Sequence, residues 1–139
     1  MNSSTRGRSL NSTVALAFGA IYTLVGLAGF LVTGDVPFVG KEGHPLVAFD
    51  VNGLHNIVHL LIGLALIAAS RRTDSARGAN LAIGATYVLL GVLGPFIDDT
   101  AVDVIGLNGA DHGLHLASGV VLVAVALLAD KAARNRSRV

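Results

Sequence analysis

The sequence predicts an all-α membrane protein: four transmembrane helices built as two tandem helical hairpins. Three observations predict it. The first is the placement of charge. Of 139 residues, 53% are hydrophobic and only 14% charged, against about 25% charged in a typical soluble domain, and the mean hydropathy is +0.67. No Asp, Glu, Lys or Arg occurs within 9–34, 51–70, 78–97 or 112–129. At about 1.5 Å per helical residue, each stretch reaches across most or all of a hydrocarbon core roughly 30 Å thick.

The second observation is the sorting of the basic residues. Arg6 and Arg8 precede the first stretch, Arg71, Arg72 and Arg77 lie between the second and third, and Lys131, Arg134, Arg136 and Arg138 follow the fourth. Only Lys41 falls on the other side. The positive-inside rule therefore predicts a multi-pass protein of the plasma membrane with both termini and the middle loop in the cytoplasm. The outer face then carries Asp35, Glu42, Asp50, Asp98, Asp99, Asp103 and Asp111 and is expected to be anionic.

The third is an internal duplication. Gly19, Tyr22, Gly26 and Gly29 match Gly84, Tyr87, Gly91 and Gly94 at an offset of 65, and Asn52-Gly53, His59 and Gly63 match Asn108-Gly109, His115 and Gly119 at an offset of 56. Repeats over about 13–70 and 79–130 would enter the bilayer in the same sense. They would then be related by a pseudo-twofold axis along the membrane normal.

Along the chain, 1–12 reads as a basic cytoplasmic segment and 13–130 as the transmembrane domain. The first span, 13–32, is too long for the apolar region of a signal peptide, which runs to roughly 7–15 residues. The stretch 33–50, with Gly34, Pro37, Gly40, Gly43 and Pro45, is expected to be an irregular outer loop. Spans follow at 53–70, 79–97 and 111–130. The turn between the second and third is short, so these two are expected to be antiparallel neighbours. Asp98-Asp99 reads as a solvated helix end, and 131–139 as a basic cytoplasmic tail. Small residues on one face let membrane helices approach closely, so the two Gly–Tyr stripes are expected to pack helices. The buried Tyr hydroxyls need partners there.

The chemistry-bearing residues gather near the outer ends of spans two and four. Asn52, Asn56 and His59 share one helix face, as do Asn108, His112 and His115; His55 lies one turn before His59, and Asp111 takes the matching place. Polar residues inside a membrane are costly and mark function by default. The cluster either organises the bundle through hydrogen bonds and contacts a partner, or binds a ligand. The ligand would be a divalent metal held by His55, His59, Asp111, His112 and His115, or a haem on His59 and His115. A proton-titrating or transport role, as a small transporter or channel subunit, is a third reading. Membrane lipids and a second copy or another membrane protein are the expected partners. A net charge of +1 gives no basic surface for nucleic acid, and the lack of cysteine removes thiolate chemistry. No G-x-S-x-G, P-loop or H-E-x-x-H motif is present, so a non-enzymatic protein is expected.

The runs N-G-L-H-N-I-V-H-L-L-I-G-L at 52–64 and L-N-G-A-D-H-G-L-H-L at 107–116, with the Gly–Tyr run at 19–29, resemble the domain of unknown function 4383 (DUF4383) family. The resemblance spans about 13–129 and implies a small four-span protein of the bacterial plasma membrane; it brings no activity with it. In that family's pattern an Asn follows the position of Asp111 where this chain has His112, which leaves His59 and His115 as the stronger candidates.

Overall fold

The computed structural model describes residues 7–130. The topology signals Arg6, Lys131, Arg134, Arg136 and Arg138 lie outside the described residues. Four helices make up the body: α1 Leu10–Gly29, α2 Gly53–Ala69, α3 Thr73–Ile97 and α4 Gly109–Leu128. Helices α1, α3 and α4 are long and apolar enough to cross a membrane, whereas α2 is a shorter apolar helix of 17 residues. The side chains are distributed inside out. Leu31 and Phe96 are 87% and 78% exposed, while Asn11, Asn56 and Asn80 are wholly buried. Water would favour the reverse; a hydrocarbon surround favours apolar side chains outside and polar ones paired within.

Helix α1 packs chiefly on α2 and α3 on α4, with lighter contact between the two pairs. The glycines cause this. A Cβ on Gly19 would stand 2.8 Å from the Gly63 carbonyl oxygen, and one on Gly119 would stand 2.7 Å from that of Gly84. The backbones touch, and any side chain there would part them. The pairs meet through a narrow core of Ala15, Tyr22, Leu66, Ala76 and Tyr87, and through Asn80 Nδ2, which donates to the Asn11 carbonyl at 3.1 Å.

Several expectations need correction. Helices α2 and α3, joined by the short turn, do touch, but the closest packing is elsewhere: the small-residue seams lie within the pairs α1/α2 and α3/α4. Helix α3 starts at Thr73 rather than 79, because its polar first turns extend beyond the apolar stretch with Asp74 favourably placed at the N-terminus. The loop at 33–50 is not irregular throughout. It holds a 3₁₀ turn at Thr33–Asp35 and an antiparallel ribbon, β1 His44–Leu46 with β2 Phe49–Val51, in which Leu46 faces Phe49. Val47 turns the corner with φ 65°, a left-handed conformation unfavourable for a β-branched residue. Two of the acids expected on an outer face are not on the surface. Asp103 is buried, its Oδ1 accepting from the Gly106 N–H at 2.9 Å, and Asp111 is buried as a helix cap.

At the opposite end of the bundle, the Asp130 carboxylate closes the N-terminus of α1. It accepts from the N–H groups of Leu10 and Asn11 at 3.3 and 3.2 Å and from Asn11 Nδ2 at 2.9 Å. Arg77 Nε donates to the Ala126 carbonyl at 2.8 Å and ties α3 to the last turns of α4.

Candidate functional site

Two asparagines start the helices that carry the histidines. Asn52 Oδ1 accepts from the His55 N–H at 2.9 Å and caps α2. Its Nδ2 donates to the carbonyls of Gly40 and Val104 at 2.7 and 3.1 Å. Asn108 caps α4 by accepting from the N–H groups of Ala110 and Asp111. The Asp111 carboxylate in turn accepts from the Asn108 N–H at 3.0 Å, completing a capping box, and from the Asp50 N–H at 3.1 Å. Asn108 Nδ2 reaches the Ala48 carbonyl at 3.1 Å. Each cap therefore binds its helix to a loop from elsewhere in the chain.

One turn deeper, Asn56 Nδ2 donates to Thr33 Oγ1 at 3.1 Å, and His112 Nε2 donates to the Asp98 carboxylate at 2.8 Å. Gly29 makes room for the Asn56 amide and Gly94 for the His112 ring, since a Cβ at either would overlap those atoms. Asp98 does end α3 with its side chain partly exposed, and Asp99 beside it is solvent-exposed as expected, but Asp98 is in addition the partner of His112.

The remaining three histidines converge. One ring nitrogen from each of His55, His59 and His115 lies within 4.8 Å of the others, and all three residues are buried. Ring centroids are 4.5 Å apart for His55–His59, 6.1 Å for His55–His115 and 6.3 Å for His59–His115. His55 Nδ1 lies 3.2 Å from the Asp50 carbonyl oxygen. A carbonyl only accepts, so Nδ1 carries the proton and Nε2 presents its lone pair. That Nε2, with Nδ1 of His59 and Nδ1 of His115, has no hydrogen-bond partner among the described residues.

Two tyrosines floor the cluster. The Tyr22 ring stacks on His59 at 5.6 Å, Tyr87 meets His115 edge-on at 4.7 Å, and the two tyrosines are 5.3 Å apart. Their hydroxyls have each other, and for Tyr22 also Ser118, as polar neighbours, though none of these makes a short hydrogen bond among the described residues. Beside them lies a cavity of about 270 Å³.

The five proposed ligands thus separate. His55, His59 and His115 come together; Asp111 touches the cavity but is engaged in capping, and His112 turns to Asp98. Sequence reasoning missed the roles of Thr33 and Asp98. Their spacing of 65 beside the spacing of 56 between Asn56 and His112 was the available signal.

Fold and site together define a membrane-compatible helical bundle with a polar, histidine-bearing interior. The chain belongs to the family described as Domain of unknown function (DUF4383), which matches residues 12–128. No curated protein and no solved structure matches it.

Proposed function

We propose that this is a four-span protein of the bacterial plasma membrane that binds a divalent transition-metal ion through His55, His59 and His115. One observation carries the reading: three buried imidazoles converge, each with a ring nitrogen left without a partner. Leaving buried polar groups unpaired is costly, and a metal ion satisfies all three at once. Three neutral nitrogen ligands with an open fourth position suit zinc, and also copper or iron. The Asp50 carbonyl on His55 is the outer partner that fixes a ligating tautomer. Asp111, on the wall of the adjoining cavity, supplies nearby negative charge. A haem on His59 and His115 is disfavoured, because His55, Tyr22 and Tyr87 crowd the two rings where a macrocycle would lie.

The organising role belongs to the other polar residues. Asn52, Asn56, Asn108, Asp111 and His112 make the hydrogen bonds that hold loops to helices, whereas among the described residues no side-chain hydrogen bond of His59 or His115 supports that role. We assign the two helical pairs to tandem repeats about a pseudo-twofold axis along the membrane normal, with both termini cytoplasmic and the cluster in the outer half. The matched ties Asn56–Thr33 and His112–Asp98, and the matched seams Gly19–Gly63 and Gly84–Gly119, support this.

The test is metal binding by detergent-purified, chelator-treated protein titrated with Zn²⁺ or Co²⁺. One ion per chain is expected, with Co²⁺ giving the visible bands of a tetrahedral site. His59→Gln and His115→Gln should each lose binding, and the double variant should resemble either single one. His112→Asn should keep it. No ion bound near one per chain, or equal loss in His112→Asn, would overturn the assignment.

A further inference from the structure

The cavity beside the cluster opens sideways, through the flank of the bundle. Its lips are Ile21 and Val25 of α1 and Leu114 of α4, and the β1–β2 ribbon roofs it, with Val47 almost fully exposed at the rim. Its inner end is formed by the buried rings of Tyr22, His59, Tyr87 and His115, and the walls are almost wholly apolar. The polar groups behind these walls are turned away from it. The Tyr22 and Tyr87 hydroxyls and Nδ1 of His59 and His115 are sealed off. Ser118 Oγ donates to the Leu114 carbonyl of its own helix at 2.7 Å, and the Asp111 carboxylate accepts from the N–H groups of Asn108 and Asp50.

We propose that this cavity holds one acyl chain of a membrane phospholipid, taken from the leaflet at the ribbon end of the bundle and admitted between α1 and α4. The tail is the part recognised, and the headgroup is not. The proposal rests on the membrane reading and is independent of the metal site. Water has no partners on such walls: an apolar cavity of about 150 Å³ stays dry and takes up benzene instead. At about 270 Å³, this one has room for a longer hydrocarbon. Left empty, it would cost its lining side chains their dispersion contacts on one side. Around a membrane-spanning bundle the molecules at a lateral mouth are acyl chains, present at the concentration of a solvent. A partner's helix, about 10–12 Å across, is too wide to enter, whereas an acyl chain is a single file of methylenes. No Lys or Arg among the described residues lines the cavity, so no cation there selects a phosphate.

The chain carries its own reporter, since it has two tyrosines and no tryptophan, and both tyrosine rings line the cavity. The full chain is reconstituted, with chelator present, into phosphatidylcholine vesicles whose lipids carry two bromines midway along one tail. Bromine quenches tyrosine emission only at near contact. Each emission is divided by that in the same vesicles without bromine, and flotation with the vesicles checks insertion separately. The unaltered protein should float, and its emission should be strongly quenched. Val25→Phe and Leu114→Phe fill the cavity from opposite lips, and each should lose most of that quenching while keeping its helix content. Phosphatidylglycerol with the same brominated tail should quench as strongly as the choline lipid. Weak quenching in the unaltered protein, or quenching unchanged in both filled variants, would overturn the proposal. The tail would then lie only on the outer surface of the bundle, or a side chain from another copy would hold the cavity. Quenching by one headgroup alone would overturn it too. Failure to float would overturn the membrane reading, and this proposal with it.

Discussion

His55 Nδ1 donates to the Asp50 carbonyl oxygen across 3.2 Å, and this one bond leaves the Nε2 lone pair free on a ring buried beside His59 and His115. The bond spans the join between strand β2 and helix α2, so the ribbon also sets the ring's orientation. If the assigned site binds metal, Zn²⁺ should raise Tm. The stabilisation should approach about 2.7 kcal/mol when free Zn²⁺ is about 100-fold above its Kd. His59→Ala should show no such rise. The Zn²⁺ effect should also weaken as pH falls, because protons compete for the imidazole nitrogens. A Tm indifferent to Zn²⁺ in a thermal scan of the unaltered protein would contradict this.

Asn52 should matter more than an ordinary helix cap. Asn52→Ala removes the cap, worth about 1 kcal/mol, and also two amide donors that hold the Gly40 and Val104 carbonyls. The expected loss exceeds that of Asn108→Ala, whose amide reaches one carbonyl. Asn52→Asp should recover part of the loss, since it keeps the acceptor and drops the donors. Unfolding in mixed micelles measures all three; equal losses at Asn52 and Asn108 would contradict the ranking.

Much of this was legible because helical spacing and the matched motifs act together. The approach of His59 to His115 was readable from their matched motifs, and the glycine seams from four-three spacing. What stayed hidden depends on rotation of a few tens of degrees about a helix axis. His112 and His115 are three residues apart, close enough to look like one face, yet one ring meets Asp98 and the other joins the cluster. Asn52 and Asn108 looked like members of a polar stripe because capping and striping place Asn at the same register. The β1–β2 ribbon was unreadable for a different reason. Its Val47-Ala48 corner lacks the Gly or Asn that normally announces a two-residue turn.

Gly94 tests the His112–Asp98 tie. A methyl group there would overlap the His112 ring, so Gly94→Ala must displace the ring and break its bond to Asp98. Overpacking of this kind costs roughly 1–3 kcal/mol. His112→Asn in the same background restores space and should recover most of the loss, whereas in the unaltered protein it should only cost. The paired unfolding measurements give the sign directly, and additive losses would show that the ring is not what the methyl group meets.

Asp130 gives the bundle a dependence on acid at the end remote from the cluster. Burial pushes its carboxyl up, but hydrogen bonds from the Asn11 side chain, the backbone of Asn11 and Leu10, and Ser9 outweigh this and hold it below the ordinary carboxylate range. A lowered folded value means that the folded state binds the proton more weakly than the unfolded one. The stabilisation is therefore fully present above about pH 4, the ordinary Asp value, and is lost as pH falls through the folded value. Its left-handed backbone, φ 58°, is one that Asn also tolerates, so Asp130→Asn isolates the charge. At neutral pH that variant should lose about 0.3–1 kcal/mol, the usual worth of an anion at a helix N-terminus. The difference between the two proteins should shrink toward zero in acid, where both groups are neutral. Tm measured from pH 7 down to pH 3 in one detergent checks both parts, and a gap that widens toward acid would contradict the assignment.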